Sequence, residues 1–278
     1  MMKSIAAQPW RLWASQLQTI VRTELRKNFL TKRGFWIYLL AFGPVAIAAL
    51  YAITNRQAHL QHDTVVIAAT FQFYYLRLAI FFGCMGIFTR LIRGEMVERS
   101  LHFYLLAPVR REVLVLGKFI AGTITAISCF ALAIAAYITL MYVGNGPAGM
   151  QYLFEGAGMN QLLSYIGIAL LACVGYGAFF LALSMIFKNP IVPGIVLFGW
   201  EAINPILPAL MQKLSVIFYL RHLVPVNVPA EGLFALLTVV ADPVPMWVAV
   251  IGLLVLSTIV MTFACFQSRR LQISYTTD

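Results

Sequence analysis

Residues 65–88 read VVIAATFQFYYLRLAIFFGCMGIF, a run of 24 positions in which Arg77 is the single charge. As an α-helix rising 1.5 Å per residue it would extend about 36 Å, enough to cross a hydrocarbon core about 30 Å thick. Runs of the same kind recur outward from it, at 35–54 (FWIYLLAFGPVAIAALYAIT), 113–143, 161–187, 191–211 and 246–266. Across 278 residues, 61% are hydrophobic and 11% charged, with a mean hydropathy of +0.85. A soluble chain carries roughly half apolar and about a quarter charged residues. The balance here excludes a soluble core, a disordered tail and a secreted disulfide framework. It predicts an all-α integral membrane protein with six transmembrane helices.

The stretch 113–143 is longer than a crossing requires, so its start around Gly117 and Lys118 is expected to project into water. Lys188, Asn189 and Pro190 leave room for only a tight turn between the fourth and fifth spans. The segment LFALLTVVA at 233–241 is too short to cross and is bracketed by Pro225, Pro229, Pro243 and Pro245. It reads as a re-entrant or interfacial helix before the last span. Cys84, Cys129, Cys173 and Cys265 lie inside or at the edge of apolar runs without CxxC spacing, which suits embedded hydrophobes rather than bridges.

Charge placement sets the expected orientation. Seven Lys or Arg fall in residues 1–34, five in 89–112, and Lys118, Lys188, Arg269 and Arg270 join them, against Arg56, Lys213 and Arg221 on the other side. The positive-inside rule then puts both termini in the cytoplasm, in a plasma (inner) membrane. The +10 net charge is thereby absorbed by topology, and nucleic acid is not an expected partner. Within residues 1–34, Trp10, Trp13, Leu17, Ile20 and Val21 recur at helical spacing opposite Arg11, Gln18 and Arg22. This predicts an amphipathic elbow helix lying at the headgroups of the lipid bilayer.

The loop 89–112 is too long for a minimal turn. Val97, Leu101, Tyr104 and Leu105 line one helical face with Glu95, Glu98 and Arg99 nearby, and Pro108 stops the helix before Arg110 and Arg111. A charged helix held between two spans suits a partner that moves both. The stretch Glu98 to Lys118, ERSLHFYLLAPVRREVLVLGK, together with the lead-in TELRKNFLTKR, resembles the ABC type 2 permeases, membrane subunits of ATP-binding-cassette exporters. The resemblance follows an acidic residue, a Leu-Leu-x-Pro-Val turn, basic residues and a Gly-Lys opening the third span. Many members carry Gly-Thr after the acidic residue, where this chain has Arg99 and Ser100.

That resemblance implies a permease that pairs with a second copy or a sibling and docks two separate ABC ATPase subunits, with coupling through Glu95, Glu98, Arg99, Leu101, Leu105, Pro108, Arg110 and Arg111. ATP and Mg would bind the partner, and this chain would hold no cofactor. The residues agree: Gly117-Lys118 is followed by Phe119, Glu112 stands where a phosphate loop would begin with Gly, and no ATPase motif is present. A non-transporting membrane anchor or signalling component is the alternative reading.

Polar residues inside spans mark candidate translocation-path positions: Arg77, Glu201 and Asn204. A charge facing lipid would cost about 2.5–3.5 kcal/mol. Pro193, Pro205 and Pro208 break the fifth span around Glu201, freeing carbonyls that could line a path. A buried Arg77–Glu201 pair, or Arg77 reaching back to a surface, is the competing reading. The cluster His59, His62 and Asp63 is a weak metal signal without a strong third ligand, so no metal site is expected. His102 and His222 are isolated, and no catalytic constellation is evident.

Overall fold

The computed structural model describes residues 10–30, 35–54, 60–97, 109–226 and 244–269. Among them the chain is helical throughout its regular structure, with no strand. Five helices are long and apolar enough to cross a membrane: α2 (Phe35–Thr54), α3 (Leu60–Gly94), α4 (Arg111–Gly144), α6 (Gly158–Ile186) and α10 (Met246–Arg269). α1 (Trp10–Leu30) precedes them, and α5 (Gly146–Glu155) follows α4. Between α6 and α10 lie shorter pieces: α7 (Ile191–Ile203), a 3-10 turn (Asn204–Ile206), α8 (Ala209–Gln212) and α9 (Val216–Arg221).

α4 and α6 form the centre. α3 packs on one side of the pair and α10 on the other, while α2 and α1 both lie along α4. Without a hydrophobic drive between helices in lipid, close approach depends on small residues. The buried Phe88 ring is wedged between Gly122 of α4 and Gly177 of α6, where an added Cβ would fall 2.8 and 2.5 Å from ring carbons. Phe81 stacks edge-on to Tyr176 and Phe180, tying α3 to α6. Trp36, Leu39, Ile47, Leu50 and Ile53 of α2 remain exposed, as a lipid-facing or partner-facing helix requires.

Pro44 sits inside α2 and has no N–H to bond the Leu40 carbonyl. Tyr74 of α3 supplies the donor instead, its hydroxyl 2.8 Å from Leu40 O, and Tyr75 reaches Ala41 O at 3.2 Å. A proline defect thus becomes an interhelical hydrogen bond. Both tyrosines belong to a π-helical segment of α3, Thr70–Ala79. A second π segment, Arg90–Gly94, leads into a last helical turn, Glu95–Val97. Gly146, with φ of +66°, makes the turn from α4 to α5 that a side chain would strain.

Four expected spans correspond to α2, α3, α4 and α6, and the last to α10. α3 overruns its expected 65–88 at both ends, so residues 89–97 extend the span instead of opening a loop. The span expected at 191–211 is broken where its prolines predict: Pro205 and Pro208 lack the donors a helix needs, and the chain turns extended at Leu207 (ψ 154°). Nor does the start of α4 project freely into water. Lys118 is 1% exposed, covered by α1, which runs along the first half of α4. The segment 233–241 and the residues Glu98, Arg99, Leu101, Leu105 and Pro108 lie outside the described residues. The cysteines are free, with Cys84, Cys129 and Cys173 buried.

Candidate functional site

Buried charge among the described residues gathers in three regions, at the two ends and the middle of α3. At the end of the bundle rich in Lys and Arg, the apolar stripe of α1 continues through Ile20 to Glu24, one turn on. Ile20 seats on Gly117, where a Cβ would fall 2.8 Å from its methyl, so α1 approaches the α4 backbone closely. That contact brings Glu24 to Lys118, with Nζ to Oε1 at 2.7 Å. Lys118 also reaches Glu95 at the end of α3, at 2.8 Å, and Lys27 of α1 pairs with the same carboxylate at 3.3 Å. Burial pushes the Glu24 carboxyl up from its ordinary value, and the attraction of Lys118 pulls it back. Asn28 donates to Thr125 Oγ1 one turn further on.

A buried cation between two carboxylates from two helices is a three-way clamp. Taking such charges out of water is costly, and only close geometry offsets it. The clamp joins α1, the end of α3 and the start of α4, on either side of the segment 98–108. Two candidate coupling residues beyond that segment are engaged within the chain. The Arg110 guanidinium lies 4.5 Å from the ring centroid of Trp13. Arg111 donates to the Ser268 and Arg269 carbonyls at 3.2 and 3.0 Å, capping α10, while Arg269 pairs with Glu112 at 2.7 Å. Glu95 belongs to the clamp.

The second region lies along the middle of α3. Glu201, at the end of α7, is buried, and its carboxylate accepts from Ser215 Oγ (2.8 Å), the Ile217 amide (2.9 Å), the Val216 amide (3.1 Å) and Tyr176 Oη (3.4 Å). It caps the N-terminus of α9, a negative charge where free amides point. The buried Asn204 donates to the Gln212 carbonyl at 3.2 Å and closes the turn between α7 and α9. Arg77 is not brought into ion-pair range of Glu201. Its guanidinium lies over the Phe73 ring, 5.6 Å from the centroid.

At the opposite end of the bundle Asp63 is buried and accepts from Asn145 (2.6 Å) and Tyr51 (3.1 Å). That joins α3 to the α4–α5 turn and to α2. No grouping of three metal-ligating residues occurs among the described residues.

Glu24, Lys27 and Lys118 were not singled out by sequence reasoning as one unit. The signal was present: a carboxylate continuing the apolar stripe of α1, and a lysine inside an apolar run, each demand a buried partner.

No curated protein matches the chain. A family model for ABC-2 family transporter proteins matches residues 20–200, which spans the clamp, α2 to α6 and most of α7. The chain belongs to the ABC-2 family of transporter proteins, as a membrane permease.

Proposed function

We propose that this permease is the membrane subunit of an exporter, crossing the membrane six times with both termini cytoplasmic. It works as a pair, with a second copy or a sibling, on two ATPase subunits that bind ATP and Mg. The sixth crossing is composite, made of the half-helices α7 and α9 meeting at Glu201. Family membership implies association with ABC ATPase subunits, and the basic end of the bundle is where they dock, through the segment 98–108. The observation that carries this reading is the Lys118 clamp. Force applied between Val97 and Arg110 reaches α1, α3 and α4 together, because Glu24, Glu95 and Lys118 bind them into one body.

The test is co-purification of the full chain with its cognate ATPase, beside cysteine labelling for orientation. Cysteines at Gln57 and Gly146, on a background without the native four, should react with an impermeant thiol reagent from outside, and one at Ser100 should not. Absence of an ATPase partner, or the reverse labelling pattern, would overturn the reading.

A further inference from the structure

Arg77 and Arg221 have no carboxylate in ion-pair range among the described residues. α9, which ends in Arg221, packs on the π-helical segment of α3, whose last turn carries Arg77. Glu201, the carboxylate best placed in sequence to answer Arg77, is committed to Ser215, Tyr176 and the α9 amides. His222 is turned back on its own helix, Nδ1 2.7 Å from Phe218 O.

Arg77 is half-buried and Arg221 exposed, and their neighbours Phe73 and Leu78 are exposed as well. Facing hydrocarbon, each arginine would cost about 2.5–3.5 kcal/mol, and their mutual repulsion would add to it. Such a face is better served by water and an anion than by hydrocarbon. A second feature adjoins it. A cavity of about 580 Å³ lies between α2 and α3 with α4 behind it, and its wall includes Pro44, Ile47, Val66, Phe73 and Tyr137. Phe73 belongs both to this largely apolar wall and to the ring beneath Arg77. A hydrocarbon chain and an anionic group can thus be held on either side of one side chain.

We propose that Arg77 and Arg221 together bind the phosphate or carboxylate head group of an anionic amphiphile, whose hydrocarbon chain occupies the α2–α3 cavity. Two guanidiniums can present paired donors to such a group, in charge-assisted hydrogen bonds shorter and stronger than neutral ones. This deepens the transporter reading and rests on it for taking the amphiphile as the transported substrate, but binding itself requires no ATPase. Failure of co-purification would therefore leave it standing, and its own failure would leave the ATPase coupling intact.

The test uses the full chain in uncharged detergent micelles, titrated with dioctanoyl phosphatidylglycerol, dioctanoyl phosphatidylcholine or inorganic phosphate while the thermal unfolding midpoint is read. The anionic lipid should raise the midpoint saturably and the zwitterionic lipid should not. Arg77→Gln combined with Arg221→Gln should need at least tenfold more anionic lipid for the same rise, whereas Arg269→Gln at the basic end should titrate like the wild type. Arg77→Lys alone, which keeps the charge, should weaken binding less than Arg77→Gln and covers the case of a double variant that does not fold. Ile47→Trp, which fills the cavity, should weaken the lipid response as well. An undiminished response in the double glutamine variant would overturn the proposal. So would an equal response to phosphatidylcholine, or inorganic phosphate reproducing the full effect.

Discussion

The basic end and the middle of α3 handle buried charge in opposite ways. At the basic end Lys118 is enclosed between Glu24 and Glu95, so each charge has an opposite charge within 3 Å. In the middle Glu201 is satisfied by neutral donors, and Arg77 and Arg221 have no carboxylate in ion-pair range among the described residues. Paired charges hold helices together, and they do so at the place where a partner would push. Charges of one sign with no carboxylate in ion-pair range among the described residues suit a ligand such as the anionic head group proposed for Arg77 and Arg221. Intramembrane polarity alone therefore does not mark a transport path; the question is whether the protein itself answers the charge.

The sharpest way to break this contrast is to remove the cation from the clamp. Lys118→Met leaves Glu24 and Glu95 without their shared buried partner and should cost about 3–5 kcal/mol in unfolding free energy. Neutralising all three, with Glu24→Gln and Glu95→Gln added, should recover most of that loss, since a neutral core avoids stranding a charge. If Lys118→Met unfolds like the wild type, the clamp holds nothing.

Glu201 should come next. Glu201→Ala strands the Ser215 hydroxyl and two α9 amides at membrane depth and should cost about 2–4 kcal/mol, while Glu201→Gln keeps an acceptor and should cost about 1 kcal/mol, both read by chemical unfolding in micelles. Equal losses would mean that charge rather than capping matters there, and would return Glu201 to the side of Arg77. A smaller effect is expected for Tyr74→Phe, which leaves the Leu40 carbonyl above Pro44 without its donor, about 1 kcal/mol. Smallest is Arg269→Gln. Its pair with Glu112 is 65% exposed on the arginine side, so the loss in unfolding free energy should stay below about 1 kcal/mol.

Much of this was legible before any coordinates. Runs of 20 or more apolar residues specify α2, α3, α4, α6 and α10, because length against bilayer thickness leaves no other use for them. The spacing of Trp13, Leu17 and Ile20 already showed one apolar face on α1. What it could not show was the occupant of that face. Headgroups and a neighbouring helix want the same pattern, and the contact of Ile20 with Gly117 shows that part of the stripe meets α4. The breaks at Pro205 and Pro208 were legible in the sequence, whereas hydropathy continuing through Leu210 and Met211 hid the division of the chain beyond them into the short pieces α8 and α9. Glu201 was recognised as a buried charge, but its partners lie 14 to 16 residues further along, across a turn whose path no periodicity encodes. Arg221 counted toward topology only, since nothing in its own neighbourhood ties it to Arg77.

The central claim is that the clamp carries force from an ATPase docked at 98–108 into the bundle. It is tested most directly by the ATP hydrolysis rate of the cognate ATPase with permease variants in nanodiscs, alongside the fraction of ATPase retained. With the clamp neutralised by Glu24→Gln, Lys118→Met and Glu95→Gln in a folded chain, the ATPase should remain bound while its rate loses its dependence on the permease. Glu98→Lys should instead weaken docking itself by about tenfold, roughly 1.4 kcal/mol. An ATPase that binds and responds to the clamp-neutral permease as it does to the wild type would contradict the account.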